Sequence, residues 1–321
     1  MRALVLEDYG RLRWRELDPP EGEGVLLRVG ACGLCGSDLS VYKGTPAMRA
    51  RWRPPLVLGH EVAGVVEEGP EGWVGQRVAV HPLLSCGACP LCRGGRPNLC
   101  PHRRHVGFHL PGGFAERIRL PLGQLFPLPP GTPLWKGALA EPLAVALRAL
   151  SFLGPLRGGK VLVLGAGSLG GLLAWLLRRA GAEVFLEDLN PSRVRHLVDL
   201  GLALPAGEGP GEWEAALDTV GTEASLKRVV KAVAPGGKVV AVGLGALEAP
   251  LPLQELVLGE RTVQGSYTFT PQDFAEATAL TAEVPEGLVA RYPMEEAPEV
   301  FRALLEGRIP VPKVVLEHKE V

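Results

Sequence analysis

The chain has 321 residues, of which 46% are hydrophobic and 21% charged, and its formal net charge is -1. That length suggests two domains with a sizeable core, and the near-zero charge offers no concentrated basic face, so neither nucleic acid nor a membrane surface is expected as a partner. Apolar stretches are broken by Gly, Arg or Glu well short of the ~20 residues a membrane span requires, and Met1 leads straight into a strand-like run, so a cytoplasmic protein without signal peptide is expected.

From residue 1 to about 130 the sequence is a series of short runs punctuated by Gly and Pro. Residues 2–7 and 12–16 predict a hairpin across Tyr9-Gly10, and 25–31, 62–67, 77–80 and 114–120 predict further strands, the pattern of a β-rich barrel or sandwich. Residues 141–153 predict a helix leading to the next domain. Strands then alternate with helices: strands at 161–164, 183–186, 215–219, 238–243 and 261–267, helices at 172–179, 192–200 and 226–233. This is the doubly wound α/β pattern. Residues 274–283 and 297–306 predict helices, and 313–316 a closing strand.

Within that second region, Gly165, Gly167 and Gly170 follow a buried strand and open a helix, with Ser168 and Leu169 between them. Asp188 ends the next strand, about 20 residues on, where the dinucleotide-binding fingerprint places an acid for the adenosine ribose. Gly165 permits the tight turn, Gly167 lets backbone approach a pyrophosphate, and Gly170 lets helix and strand pack closely. The pyrophosphate is expected on unpaired N–H groups at the helix N-terminus.

All six cysteines lie in the first third of the chain, at 32, 35, 86, 89, 92 and 100. Cys86, Cys89, Cys92 and Cys100 supply four thiols within 15 residues, which suits a closed tetrahedral zinc site. An iron–sulfur reading fails on spacing, since seven residues precede the last cysteine where bacterial ferredoxins have three. Cys35, His60 and Glu141 are dispersed and carry little singly. Together they offer the S, N and O ligands of an open catalytic zinc site.

In chain order, GLCGSDL at 33–39, LGHEVAGVV at 58–66, the four-cysteine lobe, GGFAE at 112–116, AEPLAVALRA at 140–149, GAGSLG at 165–170 and PGGKVVAVG at 235–243 resemble the zinc-containing medium-chain dehydrogenase/reductase family, particularly its polyol, threonine and glucose dehydrogenase branches. The resemblance implies a GroES-like β-rich catalytic domain over 1–145 and 285–321, with the zinc lobe at 86–100, and a Rossmann NAD-binding domain over 146–284. It implies Cys35 and His60 as catalytic zinc ligands, Glu141 as a direct or water-mediated one, and Glu61 as an acid that exchanges onto the metal. Asp38 would orient the ligand histidine, Ser37 would accept the substrate proton, and Cys32 matches no ligand position. In the Rossmann part Arg193 would lie near the adenine, and the backbone of Val242, Gly243 and Leu244 would face the nicotinamide carboxamide.

The implied activity is zinc- and NAD-dependent oxidation of a secondary alcohol, polyol or sugar, with two zinc ions per chain, in a homodimer or homotetramer. The rival readings are a zinc-free quinone or enone reductase, which needs none of these ligands, and a non-catalytic NAD(H)-binding sensor. Two features depart from the family. Ser40 stands where many relatives carry a proton-relay histidine, and the short segment 204–214 brings the usual six-strand count into question.

Overall fold

Residues 25–34 are apolar at nearly every position, as a strand covered on both faces must be. In a computed structural model, which describes residues 1–207 and 213–319, Val25–Leu34 is buried at nine of its ten positions. It forms the centre of a sheet in the order Leu125–Pro127, Arg77–Val80, Glu61–Glu68, Val25–Leu34, Lys313–Glu317, Val289–Pro293, with Arg117–Leu120 paired alongside its first half. The register sets Gly33 opposite Glu61 on one side and opposite Val315 on the other. The closing strand of the chain thus lies directly beside the GLCGSDL segment.

The expected hairpin is present as Arg2–Asp8 with Arg11–Glu16, extended on its other edge by Leu56–Val57. The run at 114–120 is a strand only over Arg117–Leu120; within its first part the Phe114 N–H goes to Leu58 O and the Glu116 N–H to Arg2 O, with Ala115 in an isolated bridge to Ala3. These elements belong to a first unit comprising Met1–Ala144, Phe269–Ile309 and Lys313–Val321. The chain returns to this unit at Phe269, earlier than residue 285. Phe269 and Phe274 pack edge-on against His81, and Phe274 also against Phe126.

The second unit is Val145–Thr268 with Pro310–Pro312. Among the described residues it holds six parallel strands in the order Leu204–Pro205, Glu183–Glu187, Lys160–Leu164, Trp213–Asp218, Val233–Ala241, Thr262–Gly265. The order reverses direction beside Lys160–Leu164, the switch point where such sheets bind ligands beyond their strand ends. The shortened segment reduces the first edge to two residues, one of them a proline that cannot donate to a ladder; residues 208–212 of that segment lie outside the described residues. Val233–Ala241 starts earlier than expected, running through Pro235-Gly236-Gly237 with a register shift opposite Trp213–Ala215. Leu162, Trp213, Val229, Val230 and Val239 make the core on one face of the sheet. No helix among the described residues is long and apolar enough to cross a membrane.

Candidate functional site

The first site is assembled at the start of helix Gly36–Lys43. Asp38, fully buried, accepts the Cys35 N–H at 3.0 Å and the Gly59 N–H at 3.3 Å, so one carboxylate fixes both segments that carry sulfur and imidazole. The same Asp38 lies 3.5 Å from His60 Nδ1, while His60 Nε2 stands 3.4 Å from Ser37 Oγ. An imidazole whose Nδ1 faces a carboxylate presents Nε2 as its ligand atom. Burial works against a charged His60, but Asp38 and Cys35 outweigh it and hold its pKa well above the ordinary imidazole value. That same negative potential favours a divalent cation.

Ligand atoms of Cys35, His60 and Glu61 lie within 4.8 Å of one another. Glu61 Oε2 meets the ammonium of Lys313 in an ion pair buried on both sides, and Lys313 Nζ also donates to Leu34 O at 3.0 Å. Gly33 makes room for this pair, since a Cβ there would sit 1.8 Å from Glu61 Oε2. Glu141, in the first turn of Ala140–Leu150, falls outside that three-residue set but shares its field. Burial raises its pKa to about 7, with Glu61 and Asp38 pushing the same way and His60 and Lys313 opposing. Cys32 is buried core, its thiol pushed well up by burial. Sequence reasoning missed Lys313, whose one signal was a lysine opening an otherwise apolar strand. It also missed His105 and Phe108, whose rings lie 5.2 Å from that of His60.

The four-cysteine lobe is a second, separate cluster. Its cysteines are unbridged, and the Sγ separations are 3.9 Å (Cys86–Cys92), 3.4 Å (Cys89–Cys92) and 3.5 Å (Cys86–Cys100). A tetrahedron of sulfurs about 2.3 Å from a zinc ion has edges of about 3.8 Å, so the residues fit that metal. Backbone N–H groups of Ala88 and Cys89 lower the Cys86 thiol, whereas burial and the neighbouring thiols raise that of Cys92, so without a cation the cluster holds part of its charge as protonated thiol.

In the second unit, Gly167 caps helix Ser168–Arg179 and, being glycine, offers the helix's first N–H groups no side-chain cap. Gly165 has φ +101, and a Cβ on Gly170 would sit 1.8 Å from Gly165 O, so both positions require glycine; the space over Gly167 is open. Unpaired N–H groups beneath open space suit an anionic pyrophosphate. Asp188 accepts the Ala166 N–H and the Asn190 N–H, each at 2.7 Å, and so is held against the glycine turn. Glu187 turns elsewhere and pairs with Arg228 at 3.0 Å. Arg193 lies in helix Pro191–Asp199. Val242 and Gly243 donate to Asp218 O, and Leu244 beyond them is exposed. Asp218, another residue sequence reasoning did not single out for the site, is fully buried and accepts the N–H groups of Val220 and Gly221 at 2.9 Å.

A sulfur, nitrogen and oxygen ligand set, a closed thiol lobe and a dinucleotide turn define a metal- and nucleotide-using oxidoreductase class. Residues 21–130 match the alcohol dehydrogenase GroES-like domain and residues 168–283 the zinc-binding dehydrogenase domain. The chain is 31% identical to L-galactonate-5-dehydrogenase of Escherichia coli K12, across 96% of this chain and 98% of that one. Galactitol-1-phosphate dehydrogenase from Escherichia coli superposes with a TM-score of 0.89 at 26% identity, covering 99% of this chain and all of the other. Acetophenone reductase from Geotrichum candidum, solved with NAD, gives 0.87 at 25% identity over 100% and 98%. The chain belongs to the zinc-containing medium-chain dehydrogenase/reductase family.

Proposed function

We propose that this protein oxidises a secondary alcohol, polyol or sugar to the corresponding carbonyl compound, using NAD and a catalytic zinc ion. The observation that carries the reading is the convergence of Cys35, His60 and Glu61 on one point, with the Ser37 hydroxyl 3.4 Å from His60 Nε2. Cys35, His60 and a carboxylate from Glu61 or Glu141 hold the catalytic zinc, and Cys86, Cys89, Cys92 and Cys100 hold a structural one. A zinc ion held there would supply a Lewis acid that lowers the pKa of the substrate hydroxyl, and bound NAD would supply the hydride acceptor. Ser37 takes the hydroxyl proton. Asp38 keeps the His60 ring in place from its Nδ1 side. Ser40 donates its own hydroxyl to Gly36 O at 2.9 Å, so it is committed within its helix and the proton leaves Ser37 by another route.

In the second unit Gly165, Gly167, Ser168, Leu169 and Gly170 receive the pyrophosphate, Asp188 the adenosine ribose, and Arg193 the adenine side. The backbone of Val242, Gly243 and Leu244 binds the carboxamide. The protein works as a homodimer or homotetramer, a reading that rests on the family resemblance, and in the cytoplasm, a reading that rests on the sequence. The test is a panel of alcohols, polyols and sugars with purified zinc-loaded protein, NAD and NADP, followed by nicotinamide absorbance. Turnover of secondary alcohols or polyols with NAD is expected. NAD binding without turnover of any of them would overturn the reading.

A further inference from the structure

His105 ends the two-residue strand Arg104–His105, which pairs with Leu83–Leu84. Its Nδ1 bonds Val106 O at 2.7 Å. A carbonyl oxygen only accepts, so Nδ1 carries the ring proton and Nε2 carries a lone pair. No group among the described residues hydrogen-bonds that Nε2. The ring stands edge-on to His60, centroid to centroid 5.2 Å at 76°. Phe108 leans on both rings, at 5.2 Å from His60 and 5.0 Å from His105, and Trp52 stacks on Phe108 at 5.1 Å. All three, Trp52, His105 and Phe108, are partly exposed. The surface beside His60 is therefore apolar ring with one acceptor that no protein group among the described residues occupies.

We propose that His105 accepts a hydrogen bond from a hydroxyl on the carbon next to the one oxidised, so that the site selects vicinal diols and polyols over simple alcohols. The proposal rests on the dehydrogenase reading above. A monohydric alcohol uses its single hydroxyl at the reacting centre and leaves the His105 acceptor facing C–H groups. A diol supplies the missing donor and lays its carbon chain along Phe108 and Trp52. A bound substrate displaces the water that otherwise reaches Nε2, and one that lacks the hydroxyl leaves this acceptor without a donor.

The experiment compares kcat/KM for the butane-2,3-diol stereoisomers with kcat/KM for the butan-2-ol enantiomers in zinc-loaded enzyme. The parent is expected to favour one diol by about tenfold or more. His105→Phe keeps an aromatic ring and removes the acceptor; the preference ratio is expected to collapse about tenfold, chiefly through the KM of the diol. His105→Gln, which restores an acceptor, is expected to recover part of the ratio. Zinc content and melting temperature, measured on each variant, separate loss of recognition from loss of fold. Turnover of both substrates with no diol preference, or an equal fall on both in His105→Phe, would overturn the role of His105 and leave the dehydrogenase reading standing. Absence of turnover on every alcohol would overturn both.

Discussion

Replacing Lys313 with Met tests how the first site is held together. Lys313 and Glu61 are 0% and 1% exposed, and the pair is sealed on one side by Gly33, so Glu61 cannot turn to water when its partner is lost. Met preserves the apolar stem and removes the ammonium, leaving a buried carboxylate unpaired. Removing one partner of a buried pair costs about 3–5 kcal/mol. Of this, about 1 kcal/mol belongs to the Leu34 carbonyl that loses its donor. At 2–4 °C per kcal/mol for a unit of this size, the melting temperature should fall by roughly 6–20 °C. Burial lowers the Lys313 pKa, but Glu61 and Cys35 outweigh it and leave the value above 10.5. A raised folded-state pKa means that the contribution is complete at any pH below 10.5 and fades only as pH climbs through the folded value. The parent's ion pair thus loses nothing from neutral pH to mildly alkaline pH, whereas the unpaired carboxyl of the variant takes up a proton more readily and the gap narrows as pH falls. Urea and thermal unfolding of chelator-treated protein give the measurement, with Glu61→Gln and the double variant completing a cycle. The double variant should recover much of the loss, since an uncharged pair strands no charge. If Lys313→Met melts with the parent, or if the two substitutions simply add, the pair is not what holds the site.

Three further outcomes are expected. Cys35→Ser should remove one zinc and the activity while the fold persists, whereas Cys89→Ser should lower thermal stability, because closed thiolate sites contribute folding free energy; metal analysis and melting curves with no such division would sink the assignment. The unmutated enzyme should favour NAD over NADP by roughly ten- to a hundredfold, from a discounted ~1.4–3 kcal/mol of repulsion between Asp188 and a 2′-phosphate. Asp188→Ser should narrow that ratio while loosening the turn it holds through the Ala166 N–H, and equal efficiencies in the parent would show Asp188 does not meet the ribose. Burial lowers the His81 pKa from 6.5 to about 4, so the unfolded chain binds the proton first and stability drops as pH falls between those values. The loss from this group approaches about 3 kcal/mol, and acid unfolding of His81→Phe, which suits the surrounding Phe126, Phe269 and Phe274 cluster, should lack it.

The parts legible in the sequence are those that a few consecutive residues determine. The glycine turn is one, since strand, glycines and helix start are adjacent and only glycine tolerates the φ at Gly165. The cysteine lobe is another, because four thiols within 15 residues converge whatever the rest of the chain does. Helix Pro271–Leu280 starts three residues before the expected 274, where Thr270 and Asp273 form a capping box with Pro271 in the first turn, a local signal that apolar spacing does not register. The alternation of strands and helices likewise foretold the parallel sheet. Tertiary structure decided the rest. Lys313 reaches Leu34 across 279 positions of sequence, and nothing local to either residue announces that the lysine will be stripped of water beside Glu61. His105 owes its tautomer to one backbone carbonyl and its place beside His60 to the pairing of Arg104–His105 with Leu83–Leu84. Asp188 and Glu187 are neighbours with the same charge, yet one is held against the glycine turn and the other is neutralised by Arg228. Local geometry is written into the order of residues, whereas desolvation and the identity of a charge's partner arise only when distant segments exclude water together.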